Sequence, residues 1–184
     1  MIKQLKIYKD FVKIIKVFQQ KPFYEKLTEE DIQKEFQLYM DGKGGAFAYY
    51  DIDEIVGITC FTEGFESEHG IIFPDFNKVS YISGMATLEK ARGKGVGTDL
   101  MEYTLDNFKN EKNYDYTYLR TNLIGSMSSG IAQKHGFITL EKNNQIYTQQ
   151  VTFERIDPNI PNTDIRKFMA KTLTKEANYD KISY

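Results

Sequence analysis

The sequence predicts an α/β layered domain, and three observations carry that expectation. Apolar periodicity switches repeatedly along the 184 residues, in the order strand, two helices, three strands, helix, strand, helix, hairpin. A strand-like run, "VSYISGMATL", passes straight into the glycine-rich "ARGKGVGT" and then into "DLMEYTLDNF" at helical spacing. The chain is 41% hydrophobic and 27% charged with one cysteine, so a hydrophobic core rather than disulfides must hold it together. Its length suits a single domain over 1–184, and neither a helical bundle nor a sandwich fits the element order.

Residues 2–7 predict a short strand, and "FVKIIKVFQQ" a helix with Phe11, Ile14, Ile15 and Phe18 on one face. Thr28 is an N-cap candidate with acidic residues in the next turn, opening a helix whose inward positions are Ile32, Phe36, Tyr39 and Met40. "AFAYY" and "EIVGITCF" read as strands joined by the acidic turn "DIDE". The stretch from Glu63 to Lys78 is long, acidic and rich in Phe, which suits a substrate-facing loop. After the glycine segment come a helix at about 98–110, the strand "YDYTYLRT" and the short helix "SMSSGIAQKH", stopped by Gly136. "FITLEKNNQIYTQQVTF" predicts a hairpin around Asn143–Asn144. A last helix is expected after Thr163, with Ile165, Phe168, Met169 and Thr172 or Leu173 inward, and no order is expected beyond Asn178.

Composition narrows the function classes. A net charge of −2, with Lys and Arg scattered among Asp and Glu, argues against nucleic acid as a partner, since phosphate neutralisation needs a basic face. No run of about eighteen apolar residues exists for a membrane helix. "MIKQLKIYKDF" is too charged for a signal peptide, and one thiol in the apolar run "VGITCF" fits a buried, inert cysteine, so a cytoplasmic location is expected. Two histidines and no cysteine cluster predict no metal site.

The glycine segment is where chemistry enters. A helix N-terminus presents unpaired N–H groups and partial positive charge, glycines let the backbone approach a phosphate closely, and Arg92 and Lys94 add cationic reach. A turn that needs only flexibility could make do with one glycine; three point to a pyrophosphate cradle. The lysine is misplaced for a P-loop, and Gly93, Gly95 and Gly97 run G-x-G-x-G rather than G-x-G-x-x-G, so neither nucleotide fingerprint fits.

What does match is R-x-x-G-x-G, from Arg92 through Gly95 to Gly97, after a strand and before an amphipathic helix. "MATLEKARGKGVG" resembles the acetyl-CoA motif of the GNAT family of acetyltransferases, commonly L-A-V-x-P-x-x-R-G-x-G-x-G, and "SMSSGIAQKHGF" is similar to that family's segment ending in Gly-Phe. The resemblance covers roughly residues 1–153 by element order and leaves 154–184 as a helical extension. It implies a mixed, mostly antiparallel sheet flanked by helices on both faces, acetyl-CoA as co-substrate and a primary amine as acceptor. By the same resemblance, the amides of Gly93, Lys94, Gly95, Val96, Gly97 and Thr98 hold the CoA pyrophosphate. Met85, Ala86 and Thr87 line the pantetheine and acetyl carbonyl at a strand bulge, the next strand splays away to make a thioester slot, and Asn122 is a CoA contact.

The chain departs from the family pattern at the thiolate's proton donor. Ala132 stands where a Tyr is common and Gly125 where an Asn is, which leaves open an acyl-CoA-binding module with weak catalysis. Tyr81, four residues before Met85, occupies a position where some members carry a Glu base; its competing reading is a core aromatic. Glu63, at a strand end, is an alternative base or a solvated carboxylate. His69 could titrate usefully or be inert, and His135 suits a helix C-terminus. The acidic, aromatic loop from Glu63 to Asp75 favours a cationic amine, and exposed β-edges or the C-terminal helix leave room for a homodimer.

Overall fold

A computed structural model describes residues 1–19, 28–64, 69–75, 78–124, 126–152 and 163–184. Strand β1 (Ile2–Gln4) precedes α1 (Tyr8–Gln19) and α2 (Glu29–Met40). Helix α1 buries Phe11, Ile14 and Ile15 as their spacing predicts, while the side chain of Phe18 lies outside the described residues. Thr28 caps α2 in a reciprocal box: its Oγ1 accepts from the Asp31 N–H at 3.2 Å, and its own N–H donates to Asp31 Oδ2 at 2.9 Å. The Thr28 hydroxyl also donates to Asp31 Oδ2 at 2.6 Å, and that bond, then the one from the Thr28 N–H, holds the Asp31 carboxyl below its ordinary range. Of the inward positions expected on α2, Ile32 is buried, but Met40, the last residue of the helix, is 59% exposed.

The centre of the chain follows the predicted order. Strands β2 (Gly44–Asp51) and β3 (Glu54–Glu63) form a hairpin, followed by β4 (Val79–Thr87), α3 (Val96–Asn110), β5 (Tyr116–Asn122) and α4 (Met127–Lys134). Short strands β6 (Ile138–Thr139), β7 (Glu141–Lys142) and β8 (Gln145–Ile146) lead to β9 (Thr148–Thr152) and β10 (Thr163–Thr172). Asn143 and Asn144 both sit at positive φ, 54° and 61°, in the β7–β8 turn, the conformation a two-residue hairpin loop requires.

The main sheet runs β1-β2-β3-β4-β5-β10-β6, with β9 also paired to β10. Among the described strands only β4 and β5 pair in parallel, joined through α3; the other pairings are antiparallel. Helices cover both faces. On one, Phe61 packs edge-on to Phe108 of α3, ring centroids 4.7 Å apart, and Gly57 lies under Val96 and Leu100. On the other, Cys60 meets Tyr39 of α2, whose ring packs against Phe11 of α1.

Two C-terminal expectations need correction. Residues 163–172 are not a helix but the strand β10, seated between β5 on one side and β6 and β9 on the other. Phe168, Met169 and Ala170 are fully buried, because this strand is covered on both faces. A strand buried on both sides is apolar throughout its middle, and such a run satisfies helical spacing by coincidence. The segment is therefore part of the sheet, not a helical extension of it. The tail is also ordered: Tyr179–Lys181 form a 3-10 turn, Ser183 pairs with Ile72, and the Tyr184 ring lies 4.9 Å from that of Tyr147.

Candidate active site

Strand β4 delivers the chain to the glycine loop. After Thr87 a 3-10 turn (Glu89–Ala91) leads to Gly93 at φ 74° and Gly95 at φ 83°, and Gly95 is the N-cap of α3 with no side-chain cap. Both glycines occupy the left-handed region that L side chains resist. A Cβ on Gly93 would meet nothing within 4 Å, and one on Gly95 only Asp99 Oδ1 at 3.8 Å. The ground over the first amides of α3 is thus open. Gly97 has a different reason: a Cβ there would come within 3.0 Å of Ile131 Cδ1, so it also lets α4 pack close. Arg92, Lys94 and Thr98 are exposed beside the helix start, Gly97 is half-buried, and Val96 turns into the core.

Beside this loop the sheet opens. In the β3–β4 ladder Cys60 pairs with Gly84 and Phe61 with Ile82, so Ser83 is the extra, bulged residue. The parallel β4–β5 ladder ends at Ile82↔Leu119, although β4 continues to Thr87 and β5 to Asn122. Beyond that pair the strands are not joined, and the edge of β4 carrying Met85, Ala86 and Thr87 faces a slot whose other margin is Arg120–Asn122. Ser83 Oγ is buried without a hydrogen-bond partner among the described residues. An open concavity of about 580 Å³ lies at the end of β5, lined by Asn122, Leu123, Ile124, Gln150, Asp164 and Ile165. It sits beside Asn122 rather than over the glycine loop, because the end of a helix is convex.

Tyr81 and Glu63 are not brought together. Tyr81, 7% exposed, lies on the α1–α2 face just before the bulge, its ring 4.6 Å from His69 and 4.8 Å from Tyr118. Glu63 pairs in register with Ser80, toward the start of β4 and away from the slot. Its carboxylate accepts from the Tyr114 hydroxyl and is 3.5 Å from Lys112 Nζ; burial, then that hydrogen bond, raises the Tyr114 pKa. Register sets Glu63 next to the Thr62↔Tyr81 pair, but alternation turns it to the opposite face, where Tyr114 and Lys112 engage its carboxylate. Ala132 is fully buried in α4 and does not line open space. Gly125 and residues 65–68 and 76–77 of the acidic loop lie outside the described residues.

Three features escaped the sequence. His69 is buried, its Nδ1 3.1 Å from the Tyr118 hydroxyl, and burial, then the charge of Arg120, pushes its pKa down to about 4. Arg120 donates from Nη1 to Gln149 Oε1 at 3.2 Å. Thr121, Ser126 and Ser128 form a hydroxyl triangle with sides of 2.7, 2.9 and 3.2 Å where β5 meets α4. The "SMSS" run signalled the last; the first two depend on pairing between distant strands.

The acetyltransferase (GNAT) family model matches residues 9–137. The chain belongs to the GNAT family of acetyltransferases. Solved structures agree with that fold at low identity. An N-acetyltransferase from Staphylococcus aureus Mu50 superposes with a TM-score of 0.72 at 17% identity, over 95% of this chain and 98% of that one. A ribosomal-protein-alanine N-acetyltransferase from Brucella melitensis gives 0.72 at 16% identity, over 94% and 99%. The yncA protein of Salmonella typhimurium, solved with its cofactor acetyl-CoA, gives 0.72 at 12%, over 97% and 96%. No curated protein matches this sequence. In this GNAT chain the opened end of β4 and the uncapped start of α3 flank the loop of one strand–loop–helix unit. Among the described residues no group of three potential metal ligands occurs, and no helix is long and apolar enough to cross a membrane.

Proposed function

We propose that this protein is an N-acetyltransferase that moves the acetyl group of acetyl-CoA to a primary amine. One observation carries the reading: the open, uncapped start of α3 stands beside a slot where β4 and β5 cease to pair. A phosphate-bearing ligand anchored at residues 93–98 has a narrow, backbone-lined path for a thioester arm. The bound acetyl-CoA of the Salmonella neighbour supports that ligand. Arg92 and Lys94 supply charge, Met85, Ala86 and Thr87 line the arm, and Asn122 meets it from β5.

In the chemical step a neutral amine attacks the thioester carbonyl. The C–N bond forms, the C–S bond breaks, and CoA leaves as thiolate. An ordinary alkylammonium has a pKa near 10.4, so it must first lose a proton, and Tyr81 is the candidate to take it or to anchor the water that does. The second nitrogen proton is lost as the tetrahedral intermediate collapses, and the thiolate is protonated by water or by the Thr121–Ser126–Ser128 hydroxyls beside the slot. A backbone N–H near Ala86–Thr87 stabilises the oxyanion. The single, fully buried Cys60 fits a reducing cytoplasm. Ala132 favours one competing reading, an acyl-CoA-binding module with little turnover.

The test combines binding with turnover. Acetyl-CoA at about one hundred times its Kd should stabilise the fold by about 2.7 kcal/mol, and a melting temperature unmoved at millimolar ligand would refute the assignment. Thiol release with an amine panel separates enzyme from binding module. Tyr81→Phe should lower turnover about 10²-fold with acetyl-CoA affinity kept; an unchanged rate would return Tyr81 to a purely structural role.

A further inference from the structure

We propose that the acceptor is an amine carrying its own carboxylate a few bonds away, an α- or β-amino acid, and that Arg120 binds that carboxylate. The proposal rests on the acetyltransferase reading above and names the substrate class of the same site.

Position is the first argument. The last β4–β5 pair is Ile82↔Leu119, so Arg120 is the first residue of β5 past it, at the apex of the slot and level with the bulged Ser83. Side chains alternate along β5. Leu119 and Thr121 turn toward the core under α3 and α4, where Thr121 meets Ser126 and Ser128. Tyr116, Tyr118 and Arg120 turn the other way, onto the face that Tyr81 and Phe168 share. A thioester arm lying along α3 must be met from that opposite face, where Arg120 stands.

Charge is the second. Arg120 is half-buried, and its one described hydrogen bond is to the neutral amide of Gln149. No carboxylate among the described residues pairs with it. Its neighbour across the sheet differs: Arg166, on the same face of β10, has Asp164 Oδ2 3.0 Å from Nη2. Among the described residues this face carries two guanidiniums, and a carboxylate pairs with one of them. Leaving a charge partly desolvated without a counter-ion is unfavourable, and a planar guanidinium fork is the group best matched to a carboxylate. His69 on the same face cannot supply the missing anion, and with its pKa near 4 it adds no positive charge at neutral pH. Its depressed value reflects in part the field of Arg120 at this place.

Reach is the third. Arg120 leaves β5 level with the bulge, so its side chain departs from the strand margin that an acetyl group in the slot would face; there the guanidinium exchanges its Gln149 partner on β9 for the carboxylate of the acceptor. A carboxylate held by Arg120 therefore belongs to the same small molecule as the attacking nitrogen. An amino-acid acceptor departs from the expectation of a cationic acceptor drawn from the acidic loop, since a polyamine would bring positive charge up to Arg120. In the reaction the α-ammonium gives one proton to water, nitrogen attacks, C–N forms as C–S breaks, and the second proton goes to the CoA sulfur, directly or through water.

The experiment measures thiol release from acetyl-CoA with matched pairs: glycine and glycinamide, L-alanine and L-alaninamide, L-phenylalanine and its amide, with β-alanine and spermidine alongside. The amides have less basic amines and more free base at pH 7, so any intrinsic bias runs against the proposal. At least one acid should exceed its amide in kcat/KM by about 10²-fold or more, because a partly buried charge that loses its paired partner weakens binding by at least that order. Arg120→Met should lower that acid's kcat/KM by about 10²-fold or more, chiefly through KM, and leave its amide within about threefold. Arg120→Lys, which keeps the charge and loses the fork, should fall between them and serves should the Met variant fold poorly. Amides as fast as acids, or equal losses for both in the variants, would overturn the acceptor class while leaving acetyl-CoA binding by calorimetry intact. Loss of acetyl-CoA binding by the wild-type protein would instead bring down the acetyltransferase reading, and this proposal with it.

Discussion

Replacing Gly95 by Ala separates the two things a glycine at a helix start can do. Gly95 sits at φ 83° and ψ −10°, and an added methyl would touch nothing closer than Asp99 Oδ1 at 3.8 Å. The folding cost is therefore conformational. An L-residue in the left-handed region loses about 1–2 kcal/mol, and a stiffer unfolded chain returns about 0.4–1 kcal/mol. The net is about 1 kcal/mol, or a fall of about 2–4 °C in melting temperature for a chain of this size. Binding should suffer more. The methyl occupies open space over the amides of Val96, Gly97 and Thr98, where a phosphate oxygen must come to about 2.9 Å of a donor. Losing one charge-assisted hydrogen bond, worth about 1.5–3 kcal/mol, raises Kd by about 10- to 100-fold. Calorimetric titration with acetyl-CoA reads this directly. Gly97→Ala probes packing at the same loop: its methyl presses on Ile131 Cδ1 at 3.0 Å, so it should lower the melting temperature more than Gly95→Ala does. A Gly95→Ala protein that melts lower yet binds acetyl-CoA as tightly as wild type would show that the glycine serves the turn alone.

Ala132→Tyr should not restore a proton donor. Ala132 is fully buried, so the larger ring should destabilise the fold by about 1–3 kcal/mol; a stable variant with faster turnover would contradict this packing. His69 should make stability fall with acid. Its folded pKa, about 4, lies below the ordinary 6.5, so between those values the unfolded chain binds the extra proton and stability is lost as pH drops through that window. The full difference is about 3 kcal/mol, and denaturant midpoints at pH 7 and pH 4 should converge by that amount in His69→Gln; parallel curves for the two proteins would refute it.

Much of the molecule was legible because much of it is local. The Thr28–Asp31 capping box, the Asn143–Asn144 turn and the stop at Gly136, which has φ 81°, depend on residues within a few positions of one another. The glycine loop was legible for the same reason: R-x-x-G-x-G carries its own backbone conformation and opens its own helix. The resemblance in two short segments then supplied the slot and the co-substrate.

What the sequence determined by itself is the order of the elements from β2 to α4, the caps and turns between them, and the glycine-lined, uncapped start of α3. Each follows from steric and hydrogen-bonding preferences that act along a few residues of chain. Only the tertiary structure decided that 163–172 is a strand, that Glu63 is engaged by Tyr114 and Lys112 on the face opposite Tyr81, and that Ala132 is core. It alone set the charged Arg120 at the apex of the slot against a neutral Gln149. These outcomes turn on strand register and on which faces are covered. Pairings such as Arg120↔Phe168 and Cys60↔Gly84 join residues far apart in the chain. A window of sequence carries no energy term for such contacts, whereas the folded sheet selects one register because shifting it by a residue would turn every buried side chain to the other face.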